Sequence, residues 1–264
     1  MSNRPAVFLS ASIPERKPFT NPQPRSFAQE TSAGHLGDTE PPERIERHRI
    51  RESVIALVGV CRELGYDLVF GGHPAITPLV HHAAKSLGYD DSIGDHHPDQ
   101  WNVVIFQALY FKDKFPADVQ TFLNQRHRLF HGTPVVPTER DPDETEKHFK
   151  DRERRDNISA MRDEMIDHWP GHYVAGVFIG GMDGILDEFS RFRQSHPHAL
   201  VLPISSTGGA TEMGWPEKNV PPLLYQIPVG ESGSRQSRRI ELLQRDGSEP
   251  EFVTYRTLLR MLLE

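Results

Sequence analysis

A mainly parallel α/β sheet with helices on both faces is the fold this chain predicts, and three observations predict it. Apolar runs of strand length alternate with segments of helical spacing. The runs are apolar throughout rather than alternately polar, as strands covered on both faces are. Four of them end in small or polar residues where the next element begins.

Taken in order, the first strand is "AVFLS" at 6–10. From Phe19 to Pro42 the chain is rich in Pro, Ser, Thr and Gly, which neither propagate a helix nor pair as a strand, so a long mobile loop is expected. Val54, Leu57, Val58, Cys61 and Leu64 then recur at helical spacing, and Gly65 supplies the stop. "YDLVFGGHP" (66–74) is a second strand running into glycines, and "ITPLVHHAAKSLG" (76–88) a helix. "WNVVIFQAL" (101–109) reads as a third strand, and "VQTFLNQRHRLF" (119–130) as a charged helical stretch. "TPVVPTE" (133–139) is expected as a short fourth strand, followed by a strongly charged helix over 143–169. "YVAGVFIGG" (173–181), the helix "ILDEFSRFRQ" (185–194) and "ALVLPISSTGGA" (199–210) form a fifth strand, its helix and a sixth strand. A seventh strand, "PLLYQIP" (222–228), precedes the loop "VGESGSRQSRR", and "FVTYRTLLRMLL" (252–263) is expected to be a terminal helix. These elements make one domain over 1–230, with 231–264 a loop and helix packed on it. No internal repeat is visible.

Composition narrows the classes of function. With 264 residues, 36% hydrophobic and 25% charged, the chain can build a sizeable soluble core. No window approaches the ~20 apolar residues of a membrane span, and the first apolar run lacks a signal-peptide pattern. The one cysteine, Cys61, excludes an internal disulfide framework and a cysteine-based zinc cluster, which points to the cytoplasm. It falls on the apolar face of its helix, as a small buried hydrophobe would. A net charge of −7 disfavours nucleic acid as a partner, because phosphate neutralisation needs a basic surface.

Function is read from the strand ends. "SAS" (Ser10, Ala11, Ser12), "GGH" (Gly71, Gly72, His73), "GGM" (Gly180, Gly181, Met182, with Gly184 beyond) and "STGG" (Ser206, Thr207, Gly208, Gly209) each follow a strand. In a doubly wound parallel sheet all carboxyl ends share one rim, so these segments converge on one crevice. Glycines there let the main chain approach a ligand, and amide N–H groups and helix N-termini attract anions. Phosphate is the expected guest, with hydroxyls of Ser10, Ser12, Ser205, Ser206 and Thr207 as further donors. Asp187 or Glu188, one turn into the following helix, can accept hydrogen bonds from ribose hydroxyls. A tight strand-to-helix turn accounts for any single glycine pair; four at one rim favour a ligand.

Several common motifs are missing. There is no G-x-G-x-x-G of a dinucleotide dehydrogenase, no G-x-x-x-x-G-K-[ST] of a P-loop, and "GESGS" (230–234) does not fit G-x-S-x-G. "DHHPD" (Asp95 to Asp99) carries metal-ligand residue types, but adjacent histidines in a loop rarely meet on one ion, so no metal is expected. Arg235, Arg238 and Arg239 read as a solvated basic loop.

At "GGHPAITPLV", "SAMRDEM" and "GGMDGILDE" the sequence resembles the SLOG superfamily, the Rossmann-like group named for DprA/Smf and LOG proteins. The resemblance spans about residues 6–213 and implies a Rossmann-like fold. The resemblance implies site roles for Gly71, Gly72, His73, Arg162, Gly180, Gly181, Gly184 and Glu188, and the strand-end reading adds Ser10, Ala11, Ser12, Met182, Thr207, Gly208 and Gly209 to the expected ligand site. The LOG branch cleaves the N-glycosidic bond of cytokinin nucleotides with an arginine and a glutamate, whose nearest matches are Arg162 and Glu188. Other branches are sensors of cyclic ADP-ribose, ADP-ribose or related nucleotides, in Thoeris antiphage defence and in TRPM channels. "FLSASIP", "GGHPAITPLV" and "STGGA" look more like the prokaryotic sensors. The LOG pattern P-G-G-x-G-T is altered, with Ile179 before the glycines, an extra residue between them and Ile185 after. A sensor of this kind needs no cofactor beyond its nucleotide ligand and signals through homo-oligomerisation or a partner effector protein.

Overall fold

The computed structural model describes residues 4–13, 42–88, 101–115, 130–213 and 254–264. Six strands, β1 (Pro5–Ser12), β2 (Asp67–Gly71), β3 (Val103–Ala108), β4 (Phe130–Thr133), β5 (His172–Gly180) and β6 (Leu200–Ile204), form one sheet in the order β4-β3-β2-β1-β5-β6. Every pairing is parallel. The chain steps outward from β1 to β4, then returns to the other side of β1 and continues to β6. The reversal lies between β1 and β5, the switch point at which a doubly wound sheet opens a crevice at its carboxyl edge.

Side-chain alternation along the strands divides the core in two. Val7, Leu9, Leu68, Phe70, Val177 and Ile179 point to one face, where α1 (Pro42–Leu64), α2 (Thr77–Ser86) and the terminal α6 (Tyr255–Leu263) cover them. The helical stripe read from the sequence does this work: Val54, Leu57, Val58 and Cys61 are fully buried, with Ile50 and Val60 beside them. Burial pushes the Cys61 thiol well above its ordinary range, so the residue acts as a small hydrophobe. Ala6, Phe8, Val69, Phe106 and Phe178 point to the other face, under α3 (Glu146–Ile166), α4 (Asp183–Ser195) and the short α5 (Ala210–Met213). There Phe8 stacks on Phe192 with ring centroids 5.1 Å apart, and Tyr173 and Phe178 meet Phe8 edge-on.

Helix α3 is strongly charged but not uniformly solvated. Thr145 caps it by accepting the His148 N–H at 3.3 Å, and its buried residues, Asn157, Met161, Met165 and Ile166, lie in its second half. That half packs on β2 and β3, which carries Arg162 to the carboxyl edge of the sheet.

Three expectations shift. Phe130, expected at the end of a helical stretch, opens β4, and residues 119–129 of that stretch lie outside the described residues. The fourth strand is Phe130–Thr133 rather than 133–139, because Pro134 and Pro137 have no N–H to give and pairing stops where they begin. The terminal helix starts at Tyr255, where Thr254 accepts the Thr257 N–H. The core of the 19–42 loop, the seventh strand at 222–228, the "DHHPD" run and Arg235, Arg238 and Arg239 lie outside the described residues. Among the described residues no helix is long and apolar enough to cross a membrane.

Candidate functional site

The four strand ends do share one edge. Ser12 pairs with Gly180 across the switch point, and Leu9 pairs with Phe70, so the ends of β1, β2 and β5 lie side by side with β6 next to them. Gly180, Gly181, Gly208 and Gly209 all have positive φ, 64° to 79°, a conformation that L side chains adopt at a cost. At Gly181 space is missing as well: a Cβ would sit 2.0 Å from Ile185 Cδ1 and 3.0 Å from Ser12 Oγ.

Much of this backbone is already satisfied by the protein itself. Gly180 N–H donates to Thr207 Oγ1 at 2.7 Å and Gly181 N–H to the Ser12 carbonyl at 2.9 Å, while the Gly181 carbonyl accepts from Ala210 N–H at 2.9 Å. Thr207 is fully buried and also donates to the Ile204 carbonyl, which staples the ends of β5 and β6 together. Gly72 N–H goes to the Phe106 carbonyl at 2.8 Å. His73 gives its N–H to Thr77 Oγ1 at 3.1 Å and accepts from Ala75 N–H on Nδ1 at 3.2 Å, so this histidine folds onto its own loop. Gly71 lies against Met161 and Met165, and Ala11 packs on the α1 side of the core. The amides expected to cradle an anion at Gly72, Gly180 and Gly181 are therefore spent on internal acceptors.

Donors remain elsewhere on the rim. Met182 caps α4 with extended backbone and no side-chain cap, so the first-turn amides of Asp183 and Gly184 have no intrahelical acceptor. The Gly208 amide closes the 3-10 turn over Ser205–Thr207, whereas the buried Gly209 amide has no acceptor among the described residues. The side chain of Gln107 lies over Gly72 so closely that a Cβ there would stand 1.8 Å from Oε1, and this buried oxygen has no partner among the described residues.

Two polar clusters flank the glycines. On the α3/α4 face, Glu188 accepts from Ser10 Oγ at 2.6 Å and from Arg162 Nε at 2.9 Å. Arg162 gives its remaining nitrogens to Asp187 Oδ2 at 2.9 Å and to the Gly184 carbonyl at 3.3 Å. Arg191 joins Asp187 to Asp163 and donates to Ser159 Oγ. Two guanidinium groups thus face three carboxylates, Asp163, Asp187 and Glu188, which leaves the cluster net negative. Ser10 is buried, 1% exposed, whereas the side chains of Arg162 and Glu188 keep 17% and 15% exposure.

On the α1/α6 face, Arg49 donates to the Ser206 carbonyl at 3.3 Å, and Ser206 Oγ lies 2.8 Å from Tyr255 Oη. Burial raises the Tyr255 phenol above its ordinary value, while the hydrogen bond to Ser206 and the Arg49 charge act in the opposite direction. Neither Arg49 nor Tyr255 stands out in the sequence. Arg49 is one of several arginines in "ERIERHRIR", and Tyr255 reaches the rim only because α6 folds back along α1.

Among the described residues no three His, Cys, Asp or Glu side chains gather closely enough to hold a metal ion. The arrangement can instead present one carboxylate flank to hydroxyl donors and one cationic flank to an anion. The family model described as the SLOG cluster3 family matches residues 43–223. No curated protein and no solved structure matches the chain.

Proposed function

The chain belongs to the SLOG cluster3 family, and from that premise we propose that its carboxyl rim binds a nucleotide-derived ligand of the ADP-ribose, cyclic ADP-ribose or NAD kind, as a sensor in nucleotide signalling. The observation that carries this reading is the switch point between β1 and β5. Positive-φ glycines, the uncapped start of α4 and the Glu188–Asp187 carboxylates lie there together at the place where a doubly wound sheet takes its ligand. Glu188 and Asp187 can accept from ribose hydroxyls, and the Arg49 flank of the rim suits phosphate oxygens. Antiphage defence is the setting in which the prokaryotic sensor branches that the sequence resembles operate.

Hydrolysis of an N-glycosidic bond is the second reading, and one observation favours it: Arg162 and Glu188 meet at the rim, 2.9 Å apart. The hydrogen bonding weighs against it. Both oxygens of Glu188 already accept, one from Ser10 and one from Arg162, and Arg162 has donated all three of its nitrogens. A carboxylate so engaged must give up a partner before it can serve as a base or stabilise a cationic centre.

Incubation with a nucleotide panel separates the readings. A sensor at ligand 100-fold above Kd gains about 2.7 kcal/mol, a rise in Tm of roughly 5–10 °C, with no product. Released base, lost in Glu188→Gln with binding kept, supports the hydrolase. No shift with any nucleotide refutes both.

A further inference from the structure

Arg162 is the cation that the sequence singles out for an anionic ligand, yet its surroundings do not suit one. Three of its five N–H groups go to Glu188, Asp187 and the Gly184 carbonyl, and its cluster is net negative. A phosphate brought there meets three carboxylates.

The other flank has the opposite character. Arg49 is half-buried and, among the described residues, donates to the Ser206 carbonyl alone and pairs with no carboxylate. Its place at the rim is set by Ile50, the next residue, whose Cδ1 stands 2.8 Å from the position of a Cβ on Gly180. Around it are the Ser206 and Tyr255 hydroxyls, 2.8 Å apart, and, two residues after Thr207, the Gly209 amide, which lacks an acceptor among the described residues. A guanidinium with spare N–H groups, the one hydroxyl proton that the Ser206–Tyr255 pair does not use between its own oxygens, and the Gly209 amide form a donor set for phosphate oxygens.

We propose that Arg49 seats the phosphate-bearing end of the ligand, with the Gly208–Gly209 turn, Ser206 and Tyr255, while Glu188 and Asp187 face its ribose hydroxyls. This assigns a direction to the ligand across the rim and rests on the nucleotide reading above. It also brings in Tyr255, which lies beyond the 43–223 segment covered by the family match, so an occupied site would bear on helix α6.

Calorimetric titration of ADP-ribose and of uncharged adenosine into the wild type, Arg49→Gln, Arg49→Lys and the exposed control Arg47→Gln, with cyclic ADP-ribose and NAD also titrated into the wild type, tests this, each variant's fold being checked by its melting curve. Loss of charge-assisted hydrogen bonds predicts that Arg49→Gln weakens ADP-ribose about 10- to 100-fold and leaves adenosine within about twofold. Arg49→Lys, which keeps the charge without the fork, falls between, and Arg47→Gln matches the wild type. Should Arg49→Gln fail to fold, Arg49→Lys alone decides, by an ADP-ribose-specific loss or its absence. If the wild type binds ADP-ribose and these variants bind it equally well, the assignment of Arg49 is wrong and the nucleotide reading stands. If the wild type binds neither ADP-ribose, cyclic ADP-ribose nor NAD, the nucleotide reading falls and takes this one with it.

Discussion

Replacing Gly181 by alanine probes the rim most directly, because two separable costs meet at that residue. Its φ of 79° places an L side chain in the left-handed region, at roughly 1–2 kcal/mol. The added Cβ would also lie 2.0 Å from Cδ1 and 2.5 Å from Cγ1 of Ile185. Ile185 is 3% exposed and sits in the first turn of α4, so it cannot swing into solvent to make room. Overpacking of this kind costs about 1–3 kcal/mol, for a total of ~2–5 kcal/mol. Gly65 is the matched control: its φ is 70°, and a Cβ there meets nothing within 4 Å. Gly65→Ala therefore pays the backbone term alone, and the gap between the two variants isolates the packing term at about 1–3 kcal/mol. Urea unfolding of the three proteins, with equal m-values required before midpoints are compared, gives the numbers. If Gly181→Ala is no less stable than Gly65→Ala, the tight closure of the rim over Ile185 is wrong.

Further expectations follow from the same contacts. Ser10→Ala removes the 2.6 Å bond to Glu188 and should cost about 1–3 kcal/mol, and a double-mutant cycle with Glu188→Ala, which leaves no acceptor, should return a coupling of about 0.5–3 kcal/mol; simple additivity would mean the two side chains do not interact. Leu259 is fully buried between α6 and α1, so Leu259→Ala should lose about 2–5 kcal/mol, read from the same unfolding curves; a loss under about 1 kcal/mol would show that α6 does not pack as described. His131 stacks on Phe106 with centroids 4.7 Å apart, and burial lowers its pKa from 6.5 although the Glu164 charge pulls the other way. The unfolded chain then binds the proton first, so this contribution is complete above about pH 6.5 and is lost as the pH falls through the depressed value. Stability measured from pH 7.5 to 5 should fall more steeply for the wild type than for His131→Phe, and parallel curves would contradict the burial of this ring.

The strands and helices were legible because each rests on local patterns. Unbroken apolar runs such as "YVAGVFIGG" mark strands covered on both faces, and the Val54–Cys61 stripe marks the buried side of α1. Convergence of Ser10–Ser12, Gly71–His73, Gly180–Met182 and Thr207–Gly209 at one edge was legible too, since parallel connections bring every carboxyl end to the same side. The fourth strand was misplaced by a few residues because Val135 and Val136 look like strand while the prolines around them forbid pairing.

What each rim group has left to offer a ligand was not legible, and the reason is the range of the contacts that decide it. Ser10 and Glu188 are 178 residues apart in the chain, Gly180 and Thr207 are 27 apart, and Ser206 and Tyr255 are 49 apart. A residue type states what a group can donate or accept; only its folded neighbours state whether that capacity is already used. The sequence by itself determined that glycines, hydroxyls, an arginine and carboxylates gather at one sheet edge. The tertiary structure decided that Arg162 and the Gly180 and Gly181 amides are engaged within the protein, while Arg49 and the Gly209 amide keep donors without internal acceptors among the described residues. Hydrogen bonds and ion pairs saturate, and long-range packing settles which of them saturate within the protein.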